Sequence, residues 1–220
     1  MDLDVEKKTS QFENVTREEI DHLVAEVYPS SSLGKPDLKL IQKDGHRAIV
    51  KDYRRTPFPF RHTIATWLIW REYKFHRKLA GIKGVPRIYQ KLDRYTNVFE
   101  YFDARPIERD HCDIIDDRFF EKLEKRIELI HTRGVVHLDL SHKGNILISR
   151  AGEPVIIDFN SGFYVGNGYI GRKILLPLLK KIDYYGILKL KKRLSPEALT
   201  PEEQSYLKRF GLIRRLWFFN

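Results

Sequence analysis

Residues 135–160 read VVHLDLSHKGNILISRAGEPVIIDFN, and this stretch decides the fold. It opens with His137, Leu138 and Asp139, reaches Asn145 six residues after that aspartate, and closes on Ile156, Ile157, Asp158 and Phe159. Two short apolar runs, residues 146–148 and 155–157, flank Ala151, Gly152, Glu153 and Pro154, a pattern that predicts a β-hairpin. One aspartate precedes the hairpin, an asparagine enters its first strand and a second aspartate leaves its second strand. All three are therefore expected at one end of the hairpin.

Phosphoryl transfer from magnesium-bound ATP asks for such a set. A carboxylate takes the proton of the attacking hydroxyl, while an amide oxygen and a second carboxylate hold the metal. Mg²⁺ prefers hard oxygen ligands and keeps several waters, so two side chains beside the phosphates suffice. In this order of residues the chain resembles the protein-kinase superfamily. Five residues separate Asp139 from Asn145, one more than the family loop usually carries. The resemblance implies an α+β, bilobal protein-kinase-like fold. Residues 1–102 would form an antiparallel-sheet N-lobe with one key helix, and residues 103–220 a short, mainly helical C-lobe. It makes Asp139 the base and Asn145 and Asp158 the Mg²⁺ ligands. Lys143, four residues after Asp139, is placed to stabilise charge on the transferred group. His137 is read as a brace of the loop rather than a base. Asn160 stands where the family has glycine after Asp-Phe, and asparagine tolerates left-handed backbone better than other non-glycine residues. The turn is expected to persist there.

Upstream, residues 38–53 predict a hairpin turning at Asp44-Gly45. Its second strand ends Ala48-Ile49-Val50-Lys51, which resembles the V-A-I-K strand of kinases with Ile49 in the alanine position. The resemblance puts Lys51 on the α- and β-phosphates of ATP, with Ile49 beside the nucleotide. A lone strand lysine is ordinarily a solvated one, but the next element adds weight. Residues 64–80 predict a helix stopped by Gly81, with Trp67, Leu68, Phe75 and Leu79 as its buried stripe. Glu72 falls on that stripe, and a carboxylate on an apolar face needs a cation. Lys51 is the candidate, since kinases pair this lysine with a helix glutamate; a surface pair with Arg71, Lys74 or His76 is the alternative.

Residues 28–36, YPSSSLGKP, lie where a kinase carries its glycine-rich phosphate loop, yet Gly34 is the one glycine. Backbone N–H groups of a serine-rich loop still suit phosphate; an ordinary surface loop is the other reading. Residues 97–102, NVFEYF, predict a strand, and the resemblance makes Glu100 and Phe102 part of the hinge that would hold adenine.

Three further helices are expected. Residues 17–27 carry a stripe of Ile20, Leu23, Val24 and Val27, with Thr16 or Asn14 near the start. Residues 116–133 turn Phe119, Leu123, Ile127 and Ile130 inward and end at Gly134. Residues 175–193 form a basic helix with Asp183 on or near an apolar face. The resemblance suggests that Asp183 braces the catalytic loop; a surface aspartate is the other reading. Thr200 is the expected N-cap of the last segment, and residues 211–220 are expected to pack their aromatic side chains on the second lobe.

The 220 residues are 42% hydrophobic, enough for a folded core. A single cysteine, Cys112, excludes an internal disulfide and a cysteine-based zinc site. The charged N-terminal residues carry no signal-like apolar region, and no apolar run approaches the ~18 residues of a membrane span, so a cytoplasmic protein is expected. The net charge of +10 and pI near 9.6 call for an anionic partner. Nucleic acid is disfavoured, because the aromatic residues are not interleaved with the basic ones as on a stacking platform.

Within the superfamily the chain looks most like the compact bacterial lipopolysaccharide core-sugar kinases. That likeness rests on Arg71-Glu72, the Gly-Val-Pro-Arg turn at residues 84–87 and the short second lobe; RIO-type small kinases are the neighbouring family. It implies an ATP- and Mg²⁺-dependent phosphotransferase acting on a sugar hydroxyl of a membrane-anchored glycolipid. The basic residues 172–193 would suit the anionic inner membrane surface; a solvated helix face is the other reading. A small serine/threonine protein kinase is the alternative, and a nucleotide-binding pseudokinase the second.

Overall fold

The computed structural model describes residues 11–30, 32, 34–107 and 115–217, with side chains up to residue 212. Residues 1–10, Cys112 and the aromatic side chains of the tail lie outside the described residues. The chain divides into two compact units, Met1–Gly81 with Val85–Phe102, and Ile82–Gly84 with Asp103–Asn220. In this division the short turn Ile82–Gly84 groups with the second unit.

In the first unit, helix α1 (Arg17–Leu23) starts at a capping box in which the Thr16 hydroxyl accepts from the Glu19 N–H and the Glu19 carboxylate accepts from the Thr16 N–H. The helix expected over residues 17–27 is shorter than its apolar stripe suggests. It stops at Leu23, and β1 (Val24–Tyr28) follows, antiparallel to β2 (Asp37–Lys43). Val24, Val27 and Tyr28 suit a pleated edge strand, and β2 supplies the hydrogen bonds that a continued helix would have made internally.

Strands β2 and β3 (His46–Asp52) turn through Asp44 and Gly45, whose φ angles of 48° and 77° are the left-handed pair of a two-residue hairpin. Strands β4 (Ile88–Lys91) and β5 (Thr96–Glu100) complete a five-stranded antiparallel sheet in the order β1-β2-β3-β5-β4. Ala48 and Val50 enter a core with Phe12, Val15, Ile20, Ile41 and Val98. The two-residue period of β3 sends Ile49 and Lys51 to the other face.

Helix α2 (Thr66–Lys78) follows a helical turn at Phe58–Phe60 and a π-helical turn at Arg61–Ala65. Its buried residues are Ile69, Glu72, Phe75 and His76. Trp67, expected in the buried stripe, is 50% exposed, with the Arg71 guanidinium 4.5 Å from its ring centroid. The helical phase allowed either face, and the side carrying Ile69, Glu72 and Phe75 is the one that is covered.

In the second unit, α3 (Asp117–Thr132) is capped by the Asp116 carboxylate and buries Phe119, Leu123, Ile127 and Ile130. Gly134, at φ 74°, turns the chain into β7 (Val135–Val136), which pairs with β10 (Phe163–Tyr164). Strands β6 (Ala104–Pro106), β8 (Ile146–Ser149) and β9 (Pro154–Ile156) form a three-stranded sheet in the order β6-β8-β9. Helix α4 (Leu176–Leu194) is entered through a π-helical turn at Gly171–Leu175. Helix α5 (Pro201–Trp217) starts at Thr200, whose N–H donates to Glu203 Oε2 at 2.9 Å while the Glu203 N–H donates to Thr200 Oγ1 at 3.2 Å. Among the described residues no helix is long and apolar enough to cross a membrane.

Candidate active site

Lys51 leaves β3 on the face opposite the core, and Glu72 projects from the buried side of α2. Lys51 Nζ donates to Glu72 Oε1 at 2.8 Å, with the two side chains 11% and 3% exposed. Two charges this far from water persist only when paired. The residues that offered a surface alternative are engaged elsewhere: Arg71 lies over Trp67, Lys74 Nζ lies 3.9 Å from the Trp70 ring centroid, and His76 Nδ1–H donates to the Pro86 carbonyl at 2.7 Å. Asn97, opposite Lys51 on β5, donates from Nδ2 to the Ile69 carbonyl at 3.0 Å and so ties sheet to helix. Sequence reasoning missed it; a buried asparagine at the head of an apolar strand was the signal.

Ile49 is half-buried on the Lys51 face. Beyond β1, the Ser30 N–H donates to Asp37 Oδ1 at 2.9 Å, and the Lys35 N–H donates to the Ser32 carbonyl at 3.2 Å. A Cβ at Gly34 would meet the Phe60 ring at 3.4 Å, an ordinary contact, so nothing in its local geometry requires glycine. Glu100 is tied to Arg87 twice: its N–H donates to the Arg87 carbonyl at 2.8 Å and its Oε2 accepts the Arg87 N–H at 3.0 Å. Phe102 lies half-exposed beyond the end of β5.

The second unit gathers the other candidates. Asn145 Nδ2 donates to the Asp139 carbonyl at 2.9 Å and to Asp139 Oδ2 at 3.0 Å. The Asn145 carbonyl accepts the Ile157 N–H at 2.9 Å, so Asp158 stands one residue past the cross-strand partner of Asn145. His137 Nε2–H donates to the Ile157 carbonyl at 3.0 Å, and its ring packs 4.8 Å from that of Phe159. The histidine thus joins the loop that carries Asp139 to the strand end that carries Asp158. Lys143 is exposed in the single turn Lys143–Asn145.

Two residues here hold left-handed backbone without being glycine: Leu138 at φ 65° and Asp158 at φ 61°. Such conformations cost roughly 1–3 kcal/mol each and concentrate at functional sites. The left-handed residue of the Asp-Phe-Asn turn is therefore Asp158, not Asn160 as expected; Asn160 lies inside a short 3-10 turn, Phe159–Ser161.

Asp183, fully buried on α4, resolves the choice between brace and surface residue. It accepts the Leu138 N–H at 2.6 Å and the His137 N–H at 2.8 Å, and pairs with His131 Nε2 at 2.8 Å. Helix α4 comes this close because Gly186 has no side chain: a Cβ there would lie 3.0 Å from Leu140 Cβ and 3.1 Å from the Ser141 nitrogen.

No group of three or more His, Cys, Asp or Glu among the described residues could hold a metal. One amide oxygen and one carboxylate, Asn145 and Asp158, nonetheless fit Mg²⁺, which takes few protein ligands and retains water. They do not fit a structural zinc site, which needs four nitrogen or sulfur donors.

No protein-family model matches the chain, and no curated protein matches it. Its fold is similar to that of the Rio2 kinase from Chaetomium thermophilum, solved as an ADP/Mg²⁺–phosphoaspartate complex. The TM-score is 0.56, with 16% identity over 89% of this chain and 67% of that one. At that identity the likeness concerns the fold, and the fold is α+β and protein-kinase-like.

Proposed function

We propose that this chain is a kinase-like phosphotransferase that moves the γ-phosphate of ATP to a hydroxyl, with residues 1–102 and 103–220 as its two lobes. The observation that carries the reading is the double hydrogen bond from Asn145 to Asp139, which couples the base to a metal ligand in one short loop. Asp139 accepts the proton of the acceptor hydroxyl as its oxygen bonds to the γ-phosphorus and the bond to the ADP oxygen breaks. Mg²⁺, held by Asn145 and Asp158, would neutralise charge on the phosphates. Lys51, oriented by Glu72, binds the α- and β-phosphates, and Lys143 offsets charge on the group in transfer. Ile49 and the hinge residues Glu100 and Phe102 contact the nucleotide, and the backbone around Gly34 lies near its phosphates. Adenine would bond to the backbone beyond Glu100, since the Glu100 N–H already serves Arg87.

For the acceptor we favour a sugar hydroxyl of a lipopolysaccharide core or related glycolipid, met by a cytoplasmic enzyme at the inner membrane surface. The support is a segment without acidic residues between Asp158 and Asp183. In it Tyr169, Ile170, Ile174 and Leu178 are each more than half exposed beside Arg172, Lys173, Lys180 and Lys181, a composition suited to an anionic bilayer. A serine/threonine protein kinase is the second reading, favoured by the likeness to the Rio2 kinase fold. Incubation with labelled ATP and either membrane glycolipid or protein extract separates the two by where the label goes. The Asp139→Ala variant should lose transfer while keeping nucleotide binding nearly intact; retained turnover would remove Asp139 from this role.

A further inference from the structure

The second unit carries a groove of about 530 Å³ between α4, the turn after it and α5. Tyr185, Lys189, Lys192, Arg193, Leu199 and Lys208 line it, and no lining residue is acidic. Their neighbour Lys191 shows how this fold handles a lysine it means to neutralise: it is buried and pairs with Glu203 at 3.1 Å. Among the described residues, no carboxylate lies within ion-pair distance of Lys189, Lys192, Arg193 or Lys208, and Lys189 Nζ lies 5.8 Å from the Tyr185 ring centroid. The dipole of α4 favours Lys192 and Arg193 in its last turn. It does not account for Lys189 or for Lys208 on the other helix, and like charges three and four residues apart on one helix repel. A concave site that concentrates four cations has the field of an anion receptor, and a guanidinium beside ammonium groups suits phosphate oxygens.

The groove also adjoins the catalytic loop. Arg193 Nη2 donates to the Ser141 carbonyl at 3.4 Å, two residues past Asp139, and Gly186 of the same helix packs on Leu140 and Ser141. We infer that this groove binds the phosphate groups of a phosphorylated acceptor, with Lys189, Lys192, Arg193 and Lys208 as the binding side chains. This assignment rests on the phosphotransferase reading. It makes the acceptor an already anionic molecule, held at one point of α4 while its hydroxyl meets Asp139.

Inorganic pyrophosphate, titrated calorimetrically into the full chain in magnesium-free buffer, is the probe. The Lys189→Gln/Lys192→Gln/Lys208→Gln variant should bind it about tenfold more weakly or worse, a loss of about 1.4 kcal/mol or more, with Mg·ATP affinity unchanged in a separate titration. With labelled ATP and membrane extract, the acceptor concentration for half-maximal labelling should rise in the variant and the ATP requirement should not. If the triple variant fails to fold, the single reversal Lys192→Glu takes its place. Equal pyrophosphate binding by both proteins, or none by the wild type, overturns the groove, while the Mg·ATP titration judges the phosphotransferase reading by itself. A shift in the ATP requirement would assign these lysines to the nucleotide instead. Tighter binding of a single-stranded oligonucleotide than of pyrophosphate, lost in the variant, would overturn the acceptor in favour of nucleic acid.

Discussion

The Asp183 carboxylate accepts the backbone N–H of Leu138 at 2.6 Å, across 45 positions of sequence. Leu138 sits at φ 65°, a conformation that an L-residue does not hold unaided. The same carboxylate takes the His137 N–H and pairs with His131. Asp139 follows directly, so the direction of its carboxylate depends on a helix far along the chain.

Asp183→Asn replaces one acceptor oxygen with an amide that faces N–H donors. A loss of about 2–4 kcal/mol is expected in urea unfolding, as for a buried charge network broken at one member. Transfer to acceptor should fall steeply while Mg·ATP affinity changes little. Wild-type turnover in this variant would show that the loop does not need the carboxylate.

Lys51→Met leaves the Glu72 carboxylate buried without its ammonium. The cost should be about 3–5 kcal/mol, and the Lys51→Met/Glu72→Leu double variant should recover most of it, because an apolar pair needs no partner. Stability and nucleotide binding then separate. Thermal unfolding with and without Mg·ATP should show a stable double variant that the nucleotide no longer stabilises, and a wild-type shift would take Lys51 out of the nucleotide site.

Asp52 gives the first unit a pH dependence. Burial pushes its carboxyl up, but hydrogen bonds from Arg54 and the charges of Arg54 and Lys39 outweigh burial and hold it below the ordinary value of 3.8. A depressed folded pKa contributes stability that is complete above the unfolded pKa and is lost as pH falls through the folded one. Asp52→Asn should therefore destabilise at neutral pH, and the gap to wild type should close on acidification below about pH 4. A gap independent of pH would mean that Asp52 acts through packing alone.

Two glycines at similar φ separate strain from crowding. Gly84 and Gly45 stand at φ 82° and 77°, but an added Cβ meets the Pro154 carbonyl oxygen at 2.6 Å at Gly84 and nothing within 4 Å at Gly45. Gly45→Ala should cost about 1–2 kcal/mol of left-handed strain. Gly84→Ala should cost more, because the turn or β9 must also move. Equal losses in denaturant titrations would show that the turn has room to yield.

Local chemistry was legible wherever the deciding contacts lie within a few residues. Asp44-Gly45 specified a hairpin turn, Thr200 specified a helix start, and the spacing from Asp139 through Asn145 to Asp158 pointed to a loop feeding a hairpin. These energies come from backbone strain and short-range hydrogen bonds, which residue type and spacing determine by themselves. Residues 24–28 were not legible, because their apolar spacing suits a helix and an edge strand equally, and the bonds offered by β2 made the choice. Trp67 likewise had the phase to be buried, yet solvent kept half of it. For Glu72 and Asp183 the sequence offered a buried and a surface reading, and only the folded chain chose, turning Glu72 toward Lys51 and setting Asp183 beneath His137 and Leu138; it alone gathered the cations of α4 and α5 around one groove. Burial and long-range pairing depend on what a third segment covers, and no spacing within one segment records that.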